Sequence, residues 1–462
     1  MYYFDIYPQV IPADSISEIR IHPRYKHAAF PAGKPWNIKV FTTPMEGVTK
    51  NGIMDDYVWG EPDGEIPEWY LDENGDLIVK TFFKGEQEHC IVAEITRTDN
   101  PDYCLRKNFK LYSLNEDLYS LRPWRGETHS HTTGSDGREE PAYTAARYRQ
   151  KGFDFVTISD HRVYEPSLEA IDAWKDLVPD FQILAGEEIH APGNPVHIVN
   201  CGGKSSVNDL YRKDEAAYMA EVGKIAEGLD PSLPEKVRFV TASCRWVFDR
   251  IREADGVAVY CHPYWKMHRS VLPQPIIDSI FADRKFDAVE LLGGFYREEF
   301  EANNFQIIRC FEEWASRGKF PILAASDSHG TDIYPINREE VAMYNGHDYT
   351  EAADKDLFGW YSTIVFAPDN SRESLLNAIR KGNCAALETL PGTVPHIYGD
   401  LRLVRYISFL LRAYFPIHNH LCAEQADAML DCLGGETEAA GRLALLQGRV
   451  RKRMEEFFSG KK

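Results

Sequence analysis

Short clusters of histidine and carboxylate residues recur between residues 129 and 329. Imidazole nitrogen and carboxylate oxygen are the ligands that Zn²⁺, Mn²⁺ and Fe²⁺ share. Because many such ligands in one pocket imply more than one ion, the sequence predicts a hydrolase built around a metal cluster. In chain order the clusters are His129-Ser130-His131 with Asp136, Ser159-Asp160-His161, Gly186-Glu187-Glu188, Val196-His197-Ile198-Val199, Cys261-His262-Pro263 and Ser326-Asp327-Ser328-His329.

Short apolar runs lead directly into most of these clusters, at residues 156–159, 182–185, 257–260 and 321–325. Nearly continuous apolar runs separated by helical segments are typical of strands buried on both faces of a parallel sheet or barrel. In such folds the functional groups gather at the carboxyl ends of the strands. A single histidine is more often an ordinary core or surface residue, but the repeated placement at strand ends favours one shared metal site.

The ordered motifs HSHTTGSDG, SDH, GEE, VHIV, CHP and SDSH resemble those of the polymerase and histidinol phosphatase (PHP) superfamily. The resemblance covers about residues 119–395 and is specific, because all the motifs occur in the same order. It implies an α/β fold, a distorted (β/α)7 barrel, that holds two or three divalent transition metal ions, Mn, Zn or Fe.

Position by position, the resemblance implies nine metal ligands. The first ion would be held by His129, His131, Glu188 and Asp327, the second by Glu188, His197 and His262, and the third by Asp136, His161 and His329. Glu188 is preferred over Glu187 as the bridging acid because the family's bridging acid is the second residue after the glycine of this motif. Glu187 is then expected to point the other way on an extended segment.

Two positions depart from the family pattern. Glu127 replaces the usual aspartate before the first histidine pair, and this change is expected to affect only the geometry around the ligands. Arg162 follows Asp160-His161 where many relatives have aspartate or asparagine, and it is expected to bear on the choice of substrate. Asp160 is expected to accept a hydrogen bond from a ligand imidazole. His190 has no match in the pattern, and a surface or substrate-contacting role is expected.

Neighbouring divalent ions lower the pKa of a shared water into the neutral range and neutralise the charge that develops on a phosphoryl group. The leading hypothesis is therefore a phosphoesterase that cleaves a small phosphomonoester or short phosphodiester. Arg162 and Arg269 are the candidate phosphate-binding residues beside Glu188, since arginine can grip phosphate through two parallel hydrogen bonds. Lys266 and His268 are weaker candidates, and Lys266 and Arg269 could equally be solvated loop charges.

Two alternatives remain. A carboxylic ester, amide or carbamate hydrolase uses the same activated water. The aromatic stretch 334–361, a possible rim of the pocket, keeps this alternative open. A noncatalytic metal-stabilised scaffold or proofreading-type module is least favoured, because every carried-over ligand position holds a coordinating residue.

Charge restricts the partners. The chain of 462 residues has 71 acidic and 52 basic residues, a formal charge of −19, and its only basic cluster is the short stretch 449–453. Such a chain repels polyanions, which argues against binding of duplex nucleic acid and of anionic membranes. A small phosphorylated substrate is expected instead. The nine cysteines lack framework spacing, and the sequence has neither a signal segment nor a membrane span. A cytoplasmic location with reduced thiols is expected.

The sequence predicts three regions. Residues 1–118 alternate strand-like stretches with turns, which predicts a small antiparallel β-sandwich. Its aromatic residues are expected to pack in the core or at an interface, and a surface that binds sugars is the less favoured alternative. These residues include Trp36, Trp59, Trp69 and Tyr70. Residues 119–395 form the metal-binding domain, in which the excursion 203–250 is either a lid or an outer crossover. Residues 396–462 form apolar helices expected to pack on the barrel or to make a homo-oligomer contact.

Overall fold

The computed structural model describes residues 3–49, 52–53, 66–267, 270–293, 300–330, 358–390 and 392–460. The fold is mixed α/β with several sheets. The chain divides into two compact units, the first made of residues 1–121, 405–418 and 448–462 and the second of residues 122–404 and 419–447. Within the described part of the chain, no helix has the length and apolar character that a membrane crossing needs. All nine cysteines are free.

The first unit is a pair of four-stranded sheets with the orders β1-β3-β8-β7 and β2-β10-β9-β4. Side chains of both sheets, such as Ile21 and Val79 of one and Ile91 and Phe109 of the other, share one apolar core. This arrangement is that of a β-sandwich. Its elements are β1 (Phe4–Tyr7), β2 (Val10–Pro12), β3 (Ser15–Pro23), β4 (Trp36–Pro44), β5 (Val48–Thr49), β6 (Gly52–Ile53), β7 (Glu68–Leu71), β8 (Leu77–Phe83), β9 (Glu88–Arg97), β10 (Cys104–Leu114) and α1 (Glu116–Tyr119).

The sandwich differs from the prediction in one pair of strands. The sequence predicts an entirely antiparallel sandwich, but β2 and β10 are parallel. The long chain between these two strands returns to the same end of the sheet, which allows the parallel pairing. Trp36 and Trp69 are partly buried and pack against the core of the sandwich, as the core interpretation of the aromatics predicts. Tyr70 is exposed, and Trp59 lies outside the described residues.

The second unit carries the predicted metal motifs on a series of short strands and longer helices. Its strands are β11 (Arg122–Glu127), β12 (Phe155–Thr157), β13 (Gln182–Leu184), β14 (Gly186–Ile189), β15 (Ile198–Cys201), β16 (Val257–Tyr260), β17 (Lys266–Met267), β18 (Ser270–Val271), β19 (Ala288–Leu292), β20 (Ile322–Ala324), β21 (Tyr361–Ala367), β22 (Cys384–Glu388) and β23 (His396–Tyr398). Its helices before residue 400 are α2 (Pro141–Gln150), α3 (Glu165–Trp174), α4 (Asn208–Lys213), α5 (Glu215–Glu227), α6 (Glu235–Glu253), α7 (Gln274–Asp283), α8 (Phe300–Arg317) and α9 (Arg372–Arg380).

Eleven of these strands form a six-stranded sheet, in the order β13-β12-β11-β21-β22-β23, and a five-stranded sheet, in the order β14-β15-β16-β19-β20, while β17 and β18 pair with each other. The pairs β11-β12, β12-β13, β16-β19 and β19-β20 are parallel, as the apolar runs predict. β14, β15 and β16 are antiparallel to one another. An apolar run predicts that a strand is buried but not its direction, and neither sheet closes on itself within the described residues.

The excursion after β15 packs as an outer layer. α6 buries Val240, Val247 and Ile251 in a core that also contains Ala258 of β16 and Ile277 of α7. A helix with this much buried apolar surface is fixed against the sheet. The structure therefore favours the crossover interpretation of this excursion over a lid.

The C-terminal helices, α10 (Leu401–Ala413), α11 (Phe415–Leu433), α12 (Ala439–Leu446) and α13 (Arg449–Ser459), divide between the two units. In the first unit the ring of Tyr406 lies 5.1 Å from that of Tyr112. In the second unit the buried Arg149 donates a hydrogen bond of 2.8 Å to Gln425. The helices therefore contact residues of the same chain, and a homo-oligomer through them stays a prediction.

Gly126 allows β11 to approach β12 closely. A Cβ at this position would lie 1.9 Å from Cζ of Phe155. Gly126→Ala is therefore expected to lower the free energy of unfolding by about 1–3 kcal/mol, the usual cost of overpacking a core. The matched control is Gly441→Ala in α12, where no heavy atom lies within 4 Å of the new Cβ and helix propensity should raise stability by up to about 1 kcal/mol. Calorimetric unfolding of both variants checks this, and equal midpoints would contradict it.

Candidate metal centre

The nine predicted ligands converge in the second unit. The histidines and Asp327 lie on loops that follow or precede buried strands, Glu188 lies on β14, and Asp136 lies on the loop that leads to α2. The loops after β11 and β20 are joined by backbone hydrogen bonds: His131 N–H donates to Ser328 at 2.9 Å, and Asp327 N–H donates to His129 at 3.1 Å. This pairing places the first and last motifs of the sequence side by side.

The first group of ligand atoms is a triangle. Nε2 of His131 lies 3.2 Å from Nε2 of His129 and 2.9 Å from Oδ1 of Asp327. Nε2 of His129 lies 3.3 Å from the same Asp327 oxygen. Oε2 of Glu188 lies 3.6 Å from both imidazole nitrogens. These four side chains are the set that the sequence assigns to the first ion.

The other oxygen of Glu188 faces a second group. Oε1 lies 2.8 Å from Nδ1 of His197 and 3.5 Å from Nε2 of His262. The two oxygens of one buried carboxylate are thus divided between two sets of imidazoles. That division is what a carboxylate that bridges two ions requires.

A third group surrounds Asp136. Its Oδ1 lies 3.3 Å from Nε2 of His329 and 3.5 Å from Nε2 of His161. The Asp136 side chain is 60% exposed, whereas Glu188 is fully buried. The third group is therefore the part of the centre that is open to solvent.

The donor set fits divalent metal ions. Both oxygens of Glu188 are buried and accept no hydrogen bond from any described residue, although imidazole nitrogens surround them. The imidazole and carboxylate atoms of the first group lie 2.9–3.6 Å apart. These distances are close to the edges of a coordination shell, which are about 3.0–3.4 Å for octahedral or tetrahedral ions with ligands at about 2.1 Å.

Burial favours the neutral, metal-binding form of two of the imidazoles. It lowers the pKa of His131 to about 3 and that of His197 to about 4. Neutral imidazole is the form that binds a metal ion. Burial raises the pKa of Glu188, but the surrounding imidazoles, led by His197 and His129, outweigh it and hold that pKa well below its ordinary value.

At three other predicted ligands burial lowers the imidazole pKa, but nearby carboxylates, among them Asp327 and Glu188, outweigh it and raise the pKa of His129, His161 and His262. Metal binding there would release protons from these imidazoles.

Backbone strain accompanies the ligands. His262 and Asp327 have φ values of 22° and 48°, and Arg162, beside ligand His161, has a φ of 63°. Non-glycine residues in this region each cost of the order of 1–3 kcal/mol and persist where surrounding contacts fix them. Here the contacts include the hydrogen bond of 2.8 Å from Arg162 N–H to the carbonyl of Glu188.

Glu290 is a residue of the candidate centre that the sequence analysis missed. Its Oε1 lies 2.7 Å from Nδ1 of His129, and its Oε2 accepts the backbone N–H of His262 at 3.0 Å. It therefore orients a ligand of the first group and the loop of the second. The signal was present in the sequence, because a single carboxylate inside the apolar run of β19 has to meet a polar partner.

His190 also belongs to the centre. Its Nε2 lies 2.9 Å from Nδ1 of His161 and 3.5 Å from Oε2 of Glu188. It follows Glu188 by two residues at the end of β14, and alternate residues of a strand share a face. That spacing could have placed His190 at the site from the sequence.

Two neighbouring acids have supporting roles. Glu187 points away from the imidazoles, as predicted, and its carboxylate accepts from Ser206 Oγ at 2.8 Å and Asn208 Nδ2 at 2.6 Å. Asp160 accepts from Thr132 and Ser135 rather than from an imidazole, so it shapes the loop that carries Asp136. The predicted imidazole partner of Asp160 is wrong, because the hydroxyls and amides of that loop lie nearer to its carboxylate.

Glu127 does not face the ligand imidazoles. It accepts backbone N–H groups of His129 and Ser326, with distances of 3.0 and 2.9 Å. The acid that departs from the family pattern therefore joins the ends of β11 and β20. This contact agrees with the predicted effect on geometry alone.

Arg162 is the candidate phosphate-binding residue that the structure describes. Its side chain is exposed, and its guanidinium makes no hydrogen bond or ion pair with the described residues. The predicted partners Arg269 and His268 lie outside the described residues, and of Lys266 only the backbone is described. Most of the aromatic stretch 334–361 also lies outside the described residues.

Trp265 gives the centre an aromatic neighbour. Its half-buried ring lies 5.7 Å from that of His197 and 5.5 Å from that of His262, between centroids. The indole therefore flanks the second group of ligands.

Comparison with known proteins finds no matching family model and no matching curated protein. Among solved structures, the chain is similar to a two-domain protein from Bacteroides vulgatus that contains a predicted PHP-like metal-dependent phosphoesterase. The TM-score is 0.36 and the sequence identity is 16%. The similarity covers 58% of this chain and 66%, just under two thirds, of that chain.

Two other solved structures are similar over shorter parts of this chain. A proposed metal-dependent phosphoesterase from Bifidobacterium adolescentis has a TM-score of 0.31 and 20% identity over 49% of this chain and 98% of its own. An amidohydrolase from Chromobacterium violaceum, solved with sulfate and without metal, has a TM-score of 0.29 and 18% identity over 44% of this chain and 87% of its own. Because every TM-score is below 0.5, the function has to be judged from the geometry of the site.

Proposed function

We propose that this protein is a metal-dependent hydrolase and that it cleaves a small phosphomonoester or a short phosphodiester. The observation that carries the proposal is the division of the Glu188 oxygens between two sets of histidines, with a third set around Asp136 beside them. Structural metal sites are usually closed around one ion, whereas several adjoining ligand sets with a solvent-open part are typical of catalytic centres.

The residues that would hold the ions are the nine predicted ligands. His129, His131 and Asp327 would hold the first, His197 and His262 the second, and Asp136, His161 and His329 the third, with Glu188 shared by the first two. When bound, such ions supply Lewis acidity toward a phosphoryl oxygen and lower the pKa of water into the neutral range. A donor set rich in imidazole and carboxylate suits Mn²⁺, Zn²⁺ and Fe²⁺.

Substrate binding falls to residues beside the ligands. Arg162 is held next to His161 by its backbone hydrogen bond to Glu188, and its exposed guanidinium has no partner among the described residues. It would donate to a nonbridging phosphoryl oxygen and match the charge that develops there. A chain with a formal charge of −19 favours a small substrate over a polyanion.

We also infer that the two sheets of the second unit belong to one distorted (β/α)7 barrel. An isolated parallel bridge joins His161, after β12, to Glu188 of β14, and another joins Ser130, after β11, to Ser328, after β20. With the regular ladders, these bridges link β11, β12, β14, β15, β16, β19 and β20 in one circuit. One apolar cluster also gathers side chains from several of these strands, among them Phe155, Val199, Val259, Ala288 and Leu323.

A second function, hydrolysis of a carboxylic ester, amide or carbamate, is favoured by Trp265. An aromatic side chain beside the second ligand group suits an apolar or aromatic acyl or leaving group. The exposed Arg162 favours the phosphoester. The two proposals make opposite predictions for Arg162 variants.

Metal content tests the proposal directly. Purified protein is expected to carry about two to three transition metal ions per chain, because the ligand sets adjoin and Glu188 is shared. Elemental analysis measures this. Chelation should abolish hydrolysis of a panel of phosphorylated metabolites and esters, and separate reconstitution with Mn²⁺, Zn²⁺ or Fe²⁺ should restore it. Less than one ion per chain, with no recovery on reconstitution, would contradict the metal centre.

A further inference from the structure

His161 is contacted through both ring nitrogens. Its Nε2 lies 3.5 Å from Oδ1 of Asp136, in the third ligand group. Its Nδ1 lies 2.9 Å from Nε2 of His190 with hydrogen-bond geometry. The imidazole of His161 therefore lies between the third group and a histidine that the nine predicted ligands do not include.

The chemistry of imidazole limits how this pair can be protonated. A neutral ring has one N–H donor and one lone pair, and a ring that binds an ion through one nitrogen carries its proton on the other. If His161 presents the lone pair of Nε2 to the third group, its Nδ1 has to donate a hydrogen bond. The acceptor at 2.9 Å is Nε2 of His190.

Glu188 is the competing acceptor. Its Oε2 is in close contact with Nδ1 of His161 but accepts no hydrogen bond with suitable alignment. The same oxygen lies 3.6 Å from the nitrogens of His129 and His131, so it is aimed at the first ligand group. His190 is thus the neighbour that can take the proton of His161 without removing Glu188 from the centre.

The fold holds His190 in place for this role. The hydroxyl of Tyr211 donates to the carbonyl of His190 at 3.2 Å. The ring of His190 lies 4.0 Å from that of His197, at an angle of 32° between the planes. The hydrogen bond from Tyr211 restrains the backbone of His190, and the contact with His197 restrains its ring. A restrained ring loses less entropy when it accepts a hydrogen bond.

We propose that His190 is a positioning residue of the third metal group: it accepts the Nδ1–H of His161 and so fixes the tautomer that turns Nε2 toward Asp136 and His329. This inference rests on the proposed metal centre but not on the identity of the substrate. It makes the occupancy of the third group depend on a side chain that does not itself bind the ion.

The test measures Mn²⁺ binding by full-length His190→Ala and His190→Gln. Each metal-free protein is dialysed against a series of free Mn²⁺ concentrations, and bound metal is measured by elemental analysis. His190→Ala is expected to bind one ion with about 10–100-fold lower affinity, the usual loss when the partner of a ligand histidine is removed. His190→Gln should recover most of that affinity, because its amide oxygen can accept the same hydrogen bond.

The controls separate this role from general stability. His396→Ala removes an exposed imidazole paired with Glu388 and should leave all Mn²⁺ binding unchanged. The melting temperature of the metal-free His190 variants should equal that of the wild type, since the role concerns the loaded centre. Unchanged Mn²⁺ binding by His190→Ala would overturn the inference. If His190→Gln loses as much Mn²⁺ affinity as His190→Ala, the inference is also overturned, and direct coordination of the ion by His190 is favoured instead.

Phosphate ester hydrolysis, assayed in parallel, distinguishes the two proposals. If the wild type hydrolyses the ester and His190→Ala binds Mn²⁺ normally, the inference about His190 fails alone. If the Mn²⁺ pattern holds and no ester is cleaved, the proposed phosphoesterase fails and the role of His190 stands. Wild-type protein that binds no Mn²⁺ overturns both.

Discussion

Glu188→Gln is expected to lose bound metal and hydrolytic activity together. The two oxygens of Glu188 face different histidine groups, at 2.8 Å from His197 Nδ1 and 3.6 Å from His129 Nε2. The neutral amide offers one oxygen and one N–H₂ donor, so it cannot serve both groups. Activity should fall by at least about a thousandfold, the upper end of the loss caused by removing one transition-state donor. Elemental analysis and turnover, measured on the same samples, check the coupling.

Glu187→Gln is the matched control, one residue away on the opposite face of β14. Its carboxylate accepts from Ser206 and Asn208 at the start of α4 and contacts no imidazole of the centre. This variant should keep its metal and most of its activity. Its free energy of unfolding should fall by about 1–3 kcal/mol, because the new amide NH₂ group would face the hydrogen-bond donors Ser206 and Asn208. If Glu187→Gln loses metal and Glu188→Gln does not, the assignment of the bridging acid is wrong.

The gathering of the nine proposed ligands at one place could be predicted from the sequence because most of them are tied to a local pattern. Histidine and carboxylate clusters follow apolar runs, and the carboxyl ends of buried strands meet at one edge. His161, His262 and Asp327 all follow such runs, and the structure brings them to Glu188. The resemblance to the PHP superfamily then implied the group to which each proposed ligand belongs.

Glu290 and His190 were harder to place because no motif marks them. Glu290 lies within an apolar strand, and only its partner, His129, reveals its role. His190 shares a strand face with Glu188, but pairing it with His161 requires the register between β12 and β14. That register depends on a single bridge rather than a ladder. Such long-range relations are set by packing and leave little trace in local sequence.

Local sequence patterns also do not predict the direction of a buried strand or the unit on which each C-terminal helix packs. β14, β15 and β16 are completely buried, as parallel strands usually are, so burial does not distinguish the two strand directions. The helices of residues 401–459 were recognised from their periodicity. Periodicity shows which face of a helix is apolar but not which unit it covers, and residues 405–418 and 419–447 cover different units.

Arg162→Ala is expected to separate phosphate from carbonyl chemistry. The guanidinium is exposed beside His161 and has no partner among the described residues, so its removal should leave metal content intact. On a phosphate ester, kcat/KM should fall by about a hundredfold, the typical loss when one donor to the transition state is deleted. A carbonyl substrate develops one oxyanion, which the ions can hold, and should be affected much less.

The comparison needs a phosphate ester and a carboxylic or carbamate ester with the same chromophoric leaving group. Arg162→Lys should keep part of the activity on the phosphate ester, because the positive charge remains but the bidentate pair of hydrogen bonds is lost. Arg212→Ala, which removes another exposed arginine that pairs with Asp209, should change neither reaction. A loss confined to the phosphate ester supports a phosphoesterase. Small, equal losses on both esters, or faster wild-type turnover of the carbonyl ester, would favour the carbonyl hydrolase, because the charge of Arg162 would then have no developing phosphoryl charge to match.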